Sequence, residues 1–202
     1  MMRQAELRGK GKRKYRVTTK AKSSRPVAEN VLNRQFSVAK LDTVWASDLT
    51  YLWTAQGWLY LAVVLDLYSR KVVGWAMGEC LTEDLAVKAL EMAITTRKPA
   101  AGLLRNEDRG SQYTGLAYRR KFEGAGAISS MSRKGDCWDN AVVESFFASL
   151  KAEEVDGRLY QTRDEARAAI FEYVEVFYNR RRRHSSLGYL CPARFEELKQ
   201  AA

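Results

Sequence analysis

Three acidic side chains stand where acids are uncommon or where ligands tend to bind. Asp48 lies inside a strand-like run, Val44 to Leu52; Asp108 follows a second such run at a turn; Glu144 lies on a helical pattern. Fifty-nine residues separate the first from the second and thirty-five separate the second from the third. Carboxylates are hard oxygen donors, and three of them can hold two divalent cations in the manner that in-line phosphoryl transfer requires.

Each has an ordinary reading beside the chemical one. Strand alternation puts Val44, Ala46, Asp48, Thr50 and Leu52 on one face, so Asp48 interrupts a mostly apolar side. A charge there is costly unless it is paired or holds a metal, or unless that face of an edge strand meets water. Asp108 sits in Asn106-Glu107-Asp108-Arg109-Gly110-Ser111, where a strand gives way to a glycine turn and a serine-capped helix. Ligands commonly bind beyond the carboxyl ends of strands in such sheets, although Asp-Arg-Gly is also a common turn. Glu144 belongs to a helix with the apolar stripe Val143, Phe146, Phe147 and Leu150. Lys151 comes about 20° from Glu144 around the helix axis, and Asn140 lies one turn before it. That face offers Asn, Glu and Lys together, as either a reactive or a solvated surface. Asp66, Asp136 and Asp139 compete as carboxylates; Asp66 also reads as a turn partner for Ser69 or Arg70, and Asp139 as a helix N-cap.

The elements that must position these groups follow from periodicity. Val44 to Leu52, Trp58 to Leu67 and Lys71 to Met77 are punctuated by Gln56-Gly57 and Ser69-Arg70, which predicts an antiparallel meander. Thr82 reads as the N-cap of a helix ending near Arg97, stopped by Pro99. Gly102 to Asn106 is a short fourth strand, Ser111 to Glu123 a helix, Ala127 to Met131 a fifth strand, and Asp139 to about Glu154 a further helix. A last long helix is expected from about Thr162, with Glu165 completing a capping box, to about Arg182. The fold class is therefore α/β, a mixed five-stranded sheet of three antiparallel strands and parallel additions, with helices on both faces.

Charge divides the chain. Of 34 basic and 24 acidic residues, ten basic and one acidic, Glu6, fall within residues 1–25, leaving 24 and 23 in the remainder. We expect residues 1–37 to be a flexible basic arm suited to neutralising phosphates, and 38–198 to be one catalytic core with a C-terminal helix. The longest apolar runs, such as Leu59 to Leu65, fall far short of the roughly 20 residues of a membrane span. The basic N-terminus lacks a signal-peptide apolar region, so a cytoplasmic protein without membrane contact is expected. Cys80, Cys137 and Cys191 are scattered like ordinary reduced thiols, and His184, the sole histidine, is no convincing base for Cys137.

Five blocks carry a family resemblance. They are Trp45-Ala46-Ser47-Asp48-Leu49-Thr50-Tyr51, Asp66 through Trp75, Asp108-Arg109-Gly110-Ser111-Gln112-Tyr113, Ser132 through Ala141 with Glu144-Ser145-Phe146-Phe147, and Tyr178-Asn179-Arg180 through Tyr189. In these blocks the chain resembles the second-frame product of insertion sequence three family transposases. The resemblance implies a ribonuclease-H-like core of the retroviral integrase superfamily, whose Asp-Asp-Glu triad binds two Mg²⁺ or Mn²⁺ ions. It selects Asp48, Asp108 and Glu144 over Asp66, Asp136 and Asp139. It implies double-stranded DNA partners at element ends and target, DNA cleavage and strand transfer, a homo-oligomer on DNA, and a first-frame DNA-binding partner protein. Expected DNA contacts are Asn140, Lys151, Arg133 and Lys134, the arm residues Lys12, Arg13, Lys14 and Arg16, and the run Arg180, Arg181, Arg182 and Arg183, which could instead complement a helix dipole.

Two departures from the family pattern shape the alternatives. Asn106-Glu107 stands where His-Ser is usual; strand alternation turns Glu107 away from Asp108, whereas turned inward it would add a misplaced ligand. The helix-turn-helix-like region usual before the core does not precede it here. An N-terminally truncated, catalytically impaired remnant that only binds DNA is thus the second reading, and a ribonuclease H acting on hybrids the third.

Overall fold

The computed structural model describes residue 32, residues 38–107, residues 113, 115, 118, 120, 121, 124 and 126–131, and residues 140–201. Its strands are β1 (Val44–Thr54), β2 (Gly57–Asp66), β3 (Val72–Gly78), β4 (Leu104–Glu107) and β5 (Ile128–Met131). The helices are α1 (Glu83–Arg97), α2 (Ala141–Leu150), α3 (Arg163–Phe171) and α4 (Pro192–Gln200). The sheet order is β3-β2-β1-β4-β5, antiparallel among the first three and parallel from β1 through β4 to β5. This is the mixed sheet expected from the periodicity. Gly57 supplies a φ of 104° at the β1–β2 turn, a conformation that costs glycine little.

Helices cover both faces. On one, Ala46, Leu61, Val63 and Leu65 pack against Val143, Phe146 and Leu150 of α2 and against Ile170, Val174 and Tyr178. On the other, Trp45, Ala62, Val64 and Val73 pack against Leu85, Ala86, Ala89, Leu90 and Ala93 of α1. Leu32, within the expected arm, is buried, and its N–H donates to Ser130 Oγ at 3.1 Å.

Helix α1 approaches β3 closely at Gly74, where a Cβ would lie 2.2 Å from the Ala89 carbonyl oxygen and 2.8 Å from the Ala93 Cβ. Backbone cannot move aside as a flexible side chain can. Gly74→Ala should therefore cost about 3 kcal/mol by overpacking. The melting temperature should fall by roughly 6–12 °C. An unchanged melting curve would contradict this packing.

Three details correct the sequence reading. Thr82 occupies the N-cap position of α1 without a side-chain capping bond. The expected helix from Thr162 to Arg182 is α-helical only through Phe171 and continues as a π-helical segment, Glu172–Tyr178. A helix after it, α4, was not foreseen. The Thr162 cap itself is present, since the Glu165 N–H donates to Thr162 Oγ1 at 3.0 Å. The expected helix between β4 and β5 lies mostly outside the described residues; Tyr118, Arg120, Lys121 and Gly124 are helical.

Asn179 explains why the chain turns where it does after the π-helical segment. Its Oδ1 accepts the Val72 N–H at 3.0 Å and its Nδ2 donates to the Val72 carbonyl at 3.0 Å, so one buried amide acts as a strand partner for β3. The Asn179 carbonyl then accepts the N–H of Ala193 in α4.

Candidate active site

Asp48 lies on β1, on the sheet face that α2 covers, beyond Ala46. It is half-buried, and the Leu49 N–H donates to its Oδ1 at 2.7 Å. The last pairing of β1 with β4 is Ser47 with Glu107. Beyond that pair, among the described residues, Asp48 to Thr54 have β2 as their only neighbouring strand, apart from one bridge of Thr54 to Tyr160. Among the described residues, Asp48 is thus placed where a central strand becomes an edge.

Across from it, α2 presents Asn140, Glu144 and Lys151 together. The helix is anchored by the apolar stripe read from the sequence: Val143, Phe146, Phe147 and Leu150 are all buried. Asn140, at its N-cap position, is buried and its Nδ2 donates to the Ser47 carbonyl at 3.4 Å, tying the start of the helix to the strand beside Asp48. Glu144 is half-buried and makes no hydrogen bond or ion pair with a described residue. Burial pushes its carboxyl above the usual carboxylate range. Lys151 stands where α2 passes into a π-helical turn, Lys151–Val155. Burial lowers its ammonium below the ordinary lysine value, while Asp156 and Asp48 pull it back up, so it shares the field of Asp48. Its Nζ lies 5.4 Å from the centre of the Tyr51 ring.

A desolvated carboxylate with no cationic partner among the described residues, on the same face as a second carboxylate, suits a divalent cation. Both are hard oxygen donors, and Lys151 adds a positive group for a phosphate oxygen. Among the described residues no three His, Cys, Asp or Glu side chains cluster as a metal site. Asp108 lies outside the described residues, as do Arg133, Lys134, Asp136, Asp139, Lys12, Arg13, Lys14, Arg16 and Cys137.

The ambiguity over Glu107 is resolved by register. Arg105 and Glu107 pair with Trp45 and Ser47, so they share the α1 face of the sheet, opposite to Asp48. Glu107 is fully buried and forms an ion pair with Arg105, whose guanidinium lies 4.1 Å from the centre of the Tyr118 ring. Asn106 faces the other way, with its Oδ1 accepting from Ser130 Oγ at 3.3 Å.

Asp66 is a structural acid, as its turn position suggested. Its Oδ1 accepts the N–H groups of Tyr68 and Ser69 and the Ser69 hydroxyl; its Oδ2 accepts the Asp42 N–H. Of the C-terminal arginines, Arg180, Arg181 and Arg183 are exposed. Arg182 is instead engaged: it donates to Glu153 and, at 3.1 Å, to Ser149 Oγ. Cys80 and Cys191 are free thiols.

The integrase core domain family matches residues 39–137, and a second integrase core domain description matches residues 126–192. The insertion element IS600 uncharacterized 31 kDa protein of Shigella sonnei is 48% identical over 197 residues, 98% of this chain and 72% of that protein. Transposase InsF for insertion sequence IS3A, from Escherichia coli strain K12, is 45% identical over 195 residues, 96% of this chain and 68% of its own length. The chain belongs to the insertion sequence three family of transposases. Solved structures extend the likeness of fold to retroviral integrases. The HTLV-2 integrase catalytic core domain in complex with magnesium matches with a TM-score of 0.57 at 14% identity, over 76% of this chain and 95% of that one. The BIV integrase catalytic core domain matches at 0.57 and 15% identity, over 79% and 97%. This transposase therefore has the ribonuclease-H-like fold of those cores. No helix among its described residues is long and apolar enough to cross a membrane.

Proposed function

We propose that this transposase cleaves and joins DNA strands with the help of two divalent cations, Mg²⁺ or Mn²⁺, held by Asp48, Asp108 and Glu144. The observation that carries the reading is Glu144, half-buried and without a partner among the described residues, on the face that Asp48 occupies. β4 ends on Glu107, paired with Ser47, so the sequence position after each of these paired residues is a member of the triad. The solved HTLV-2 integrase core was in complex with magnesium, which supports the same metal here. Bound cations would polarise the scissile phosphate and lower the pKa of an attacking water or 3′-hydroxyl.

The chain's own groups then have distinct tasks. Lys151 holds a phosphate oxygen beside the carboxylates, and Asn140 fixes the α2 start against β1 through Ser47. Arg133, Lys134, Lys12, Arg13, Lys14, Arg16 and the exposed Arg180, Arg181 and Arg183 neutralise backbone phosphates along the duplex. Arg182 contributes indirectly, by bracing Glu153. Assembly of several copies on DNA, a first-frame partner that recognises element ends, and action at the nucleoid complete the reading.

Incubating the protein and its first-frame partner with element-end DNA and Mg²⁺ should give nicked and joined products. Asp108→Asn should abolish them, and equal activity in that variant would overturn the triad. An RNA–DNA hybrid offered alongside should be cleaved less than the element end. Because Glu107 faces α1, the reading of an impaired site loses the support of a misplaced fourth carboxylate.

A further inference from the structure

Three large aromatic side chains at the end of the β1–β2 hairpin are open to water: Tyr51 at 39%, Trp53 at 52% and Trp58 at 43% exposure. Register pairs Tyr51 with Tyr60 and Trp53 with Trp58, so all four rings share one face of the sheet. They touch edge-on, with centroids 4.7 Å apart for Trp53 and Trp58, 5.0 Å for Tyr51 and Trp58, and 6.5 Å for Tyr51 and Tyr60. The α1 core reaches Leu49 and Tyr60 at its margin. Tyr51, Trp53 and Trp58 lie past it. Single exposed apolar residues are commonplace, whereas a contiguous aromatic patch marks a binding surface.

The patch lies on the α1 face, opposite to Asp48, and Lys151 links it to the carboxylate face. Lys151 sits over the Tyr51 ring and is electrostatically coupled to Asp48. On the other side, Arg163 Nε donates to the Trp58 carbonyl at 3.2 Å, while its guanidinium is neutralised by Glu79 at 2.7 Å. The Lys151 ammonium at the margin of open π-faces suits a ligand that combines flat aromatic rings with a negative backbone. A closed duplex hides its base faces within the stack, so the exposed rings suit an unpaired strand.

We propose that Tyr51, Trp53 and Trp58 form a stacking platform for an unpaired nucleobase of the DNA strand passing the carboxylate site. The platform rests on the reading of that site as one acting on DNA, and it adds a preference for strands unpaired near the point of reaction. Base–aromatic stacking tolerates any sequence, because every base has a π-face.

Fluorescence anisotropy of the full chain with labelled DNA tests this directly, comparing a blunt duplex with the same duplex carrying a short unpaired thymine overhang. The wild type should bind the overhang about tenfold more tightly than the blunt end. Trp53→Ala with Trp58→Ala should erase that preference and leave blunt-end affinity unchanged, while Trp53→Phe with Trp58→Phe should retain most of it. Duplex binding without an overhang preference in the wild type would overturn the platform alone. So would an equal loss for both DNAs in the alanine variant, or a change in sedimentation with the preference intact, which would assign the patch to a second copy of the chain. An absence of all DNA binding by the wild type would overturn the DNA reading and the platform together.

Discussion

Asp48→Asn and Glu144→Gln should each lower metal-dependent strand cleavage on the order of 10³-fold, whereas Glu107→Gln should leave the metal site intact and weaken the fold instead. The two kinds of effect follow from the two faces of the sheet. Asp48 and Glu144 share the α2 face, and Glu144 has no described partner to satisfy its charge. Replacing either with its amide removes a ligand charge from cations whose stabilisation of the reaction amounts to several kcal/mol, and each 1.36 kcal/mol is tenfold in rate. Glu107 lies buried on the α1 face against Arg105. Neutralising it leaves the Arg105 charge without its ion-pair partner, at a cost of about 3 kcal/mol. Cleavage assays and thermal melts on the same three variants check the division. Loss of metal-dependent cleavage in Glu107→Gln at a temperature where it remains folded would show that Glu107 acts in the site.

The second large effect lies in α4, outside the carboxylate site. Glu196 of α4 accepts the Ser69 hydroxyl at 2.7 Å, pairs with Lys71 Nζ at 2.9 Å and pairs with Arg97 Nη1 at 2.9 Å. Arg97 in turn reaches Asp42 at 2.8 Å. One carboxylate thus joins α4, the β2–β3 turn and the end of α1. Glu196→Gln should cost about 3 kcal/mol, because the buried carboxylate's partly buried cations, Lys71 and Arg97, lose their counter-charge. Burial by itself would raise the Glu196 carboxyl, but hydrogen bonds from Arg97, Lys71 and Ser69 outweigh it and hold the group below the usual glutamate value of 4.5. A depressed folded-state pKa contributes stability above the unfolded value and loses it as pH falls through the folded one. The difference in melting temperature between wild type and Glu196→Gln should be wide at pH 7 and close below about pH 4.5. A difference that stays constant with pH would show that the charge of Glu196 is not what holds α4.

The meander, α1 and the two parallel strands were legible because each carries a local signal: period-2 alternation, turn dipeptides, and apolar positions at helical spacing. α4 was not, although Pro192 stands in its first turn. Its buried residues are Pro192 and Glu196, so a charged group occupies the place where an apolar stripe would have announced the helix. The break after Tyr178 was equally hidden. Nothing in Glu172–Tyr178 is a helix breaker; the turn follows from Asn179 pairing with Val72, a contact between residues 107 apart. In the candidate site, Asp48 stood out as an acid in an apolar strand face, Glu144 as part of a helix face with Asn140 and Lys151, and alternation gave the direction of Glu107. The engagement of Arg182 by Glu153 could not be read from a run of four arginines, since it depends on how the π-helical segments lie against each other. The aromatic patch escaped notice for a simpler reason. Tyr51, Trp53 and Trp58 look like ordinary strand residues until the extent of the α1 cover is known.

Calorimetric titration of Mn²⁺ into the wild type, Asp48→Asn and Glu144→Gln tests the central claim without requiring DNA. Saturable binding in the wild type that is lost in both variants, and kept in Glu107→Gln, is the result the carboxylate geometry predicts. Binding of equal affinity in wild type and Asp48→Asn would place the metal elsewhere and contradict it.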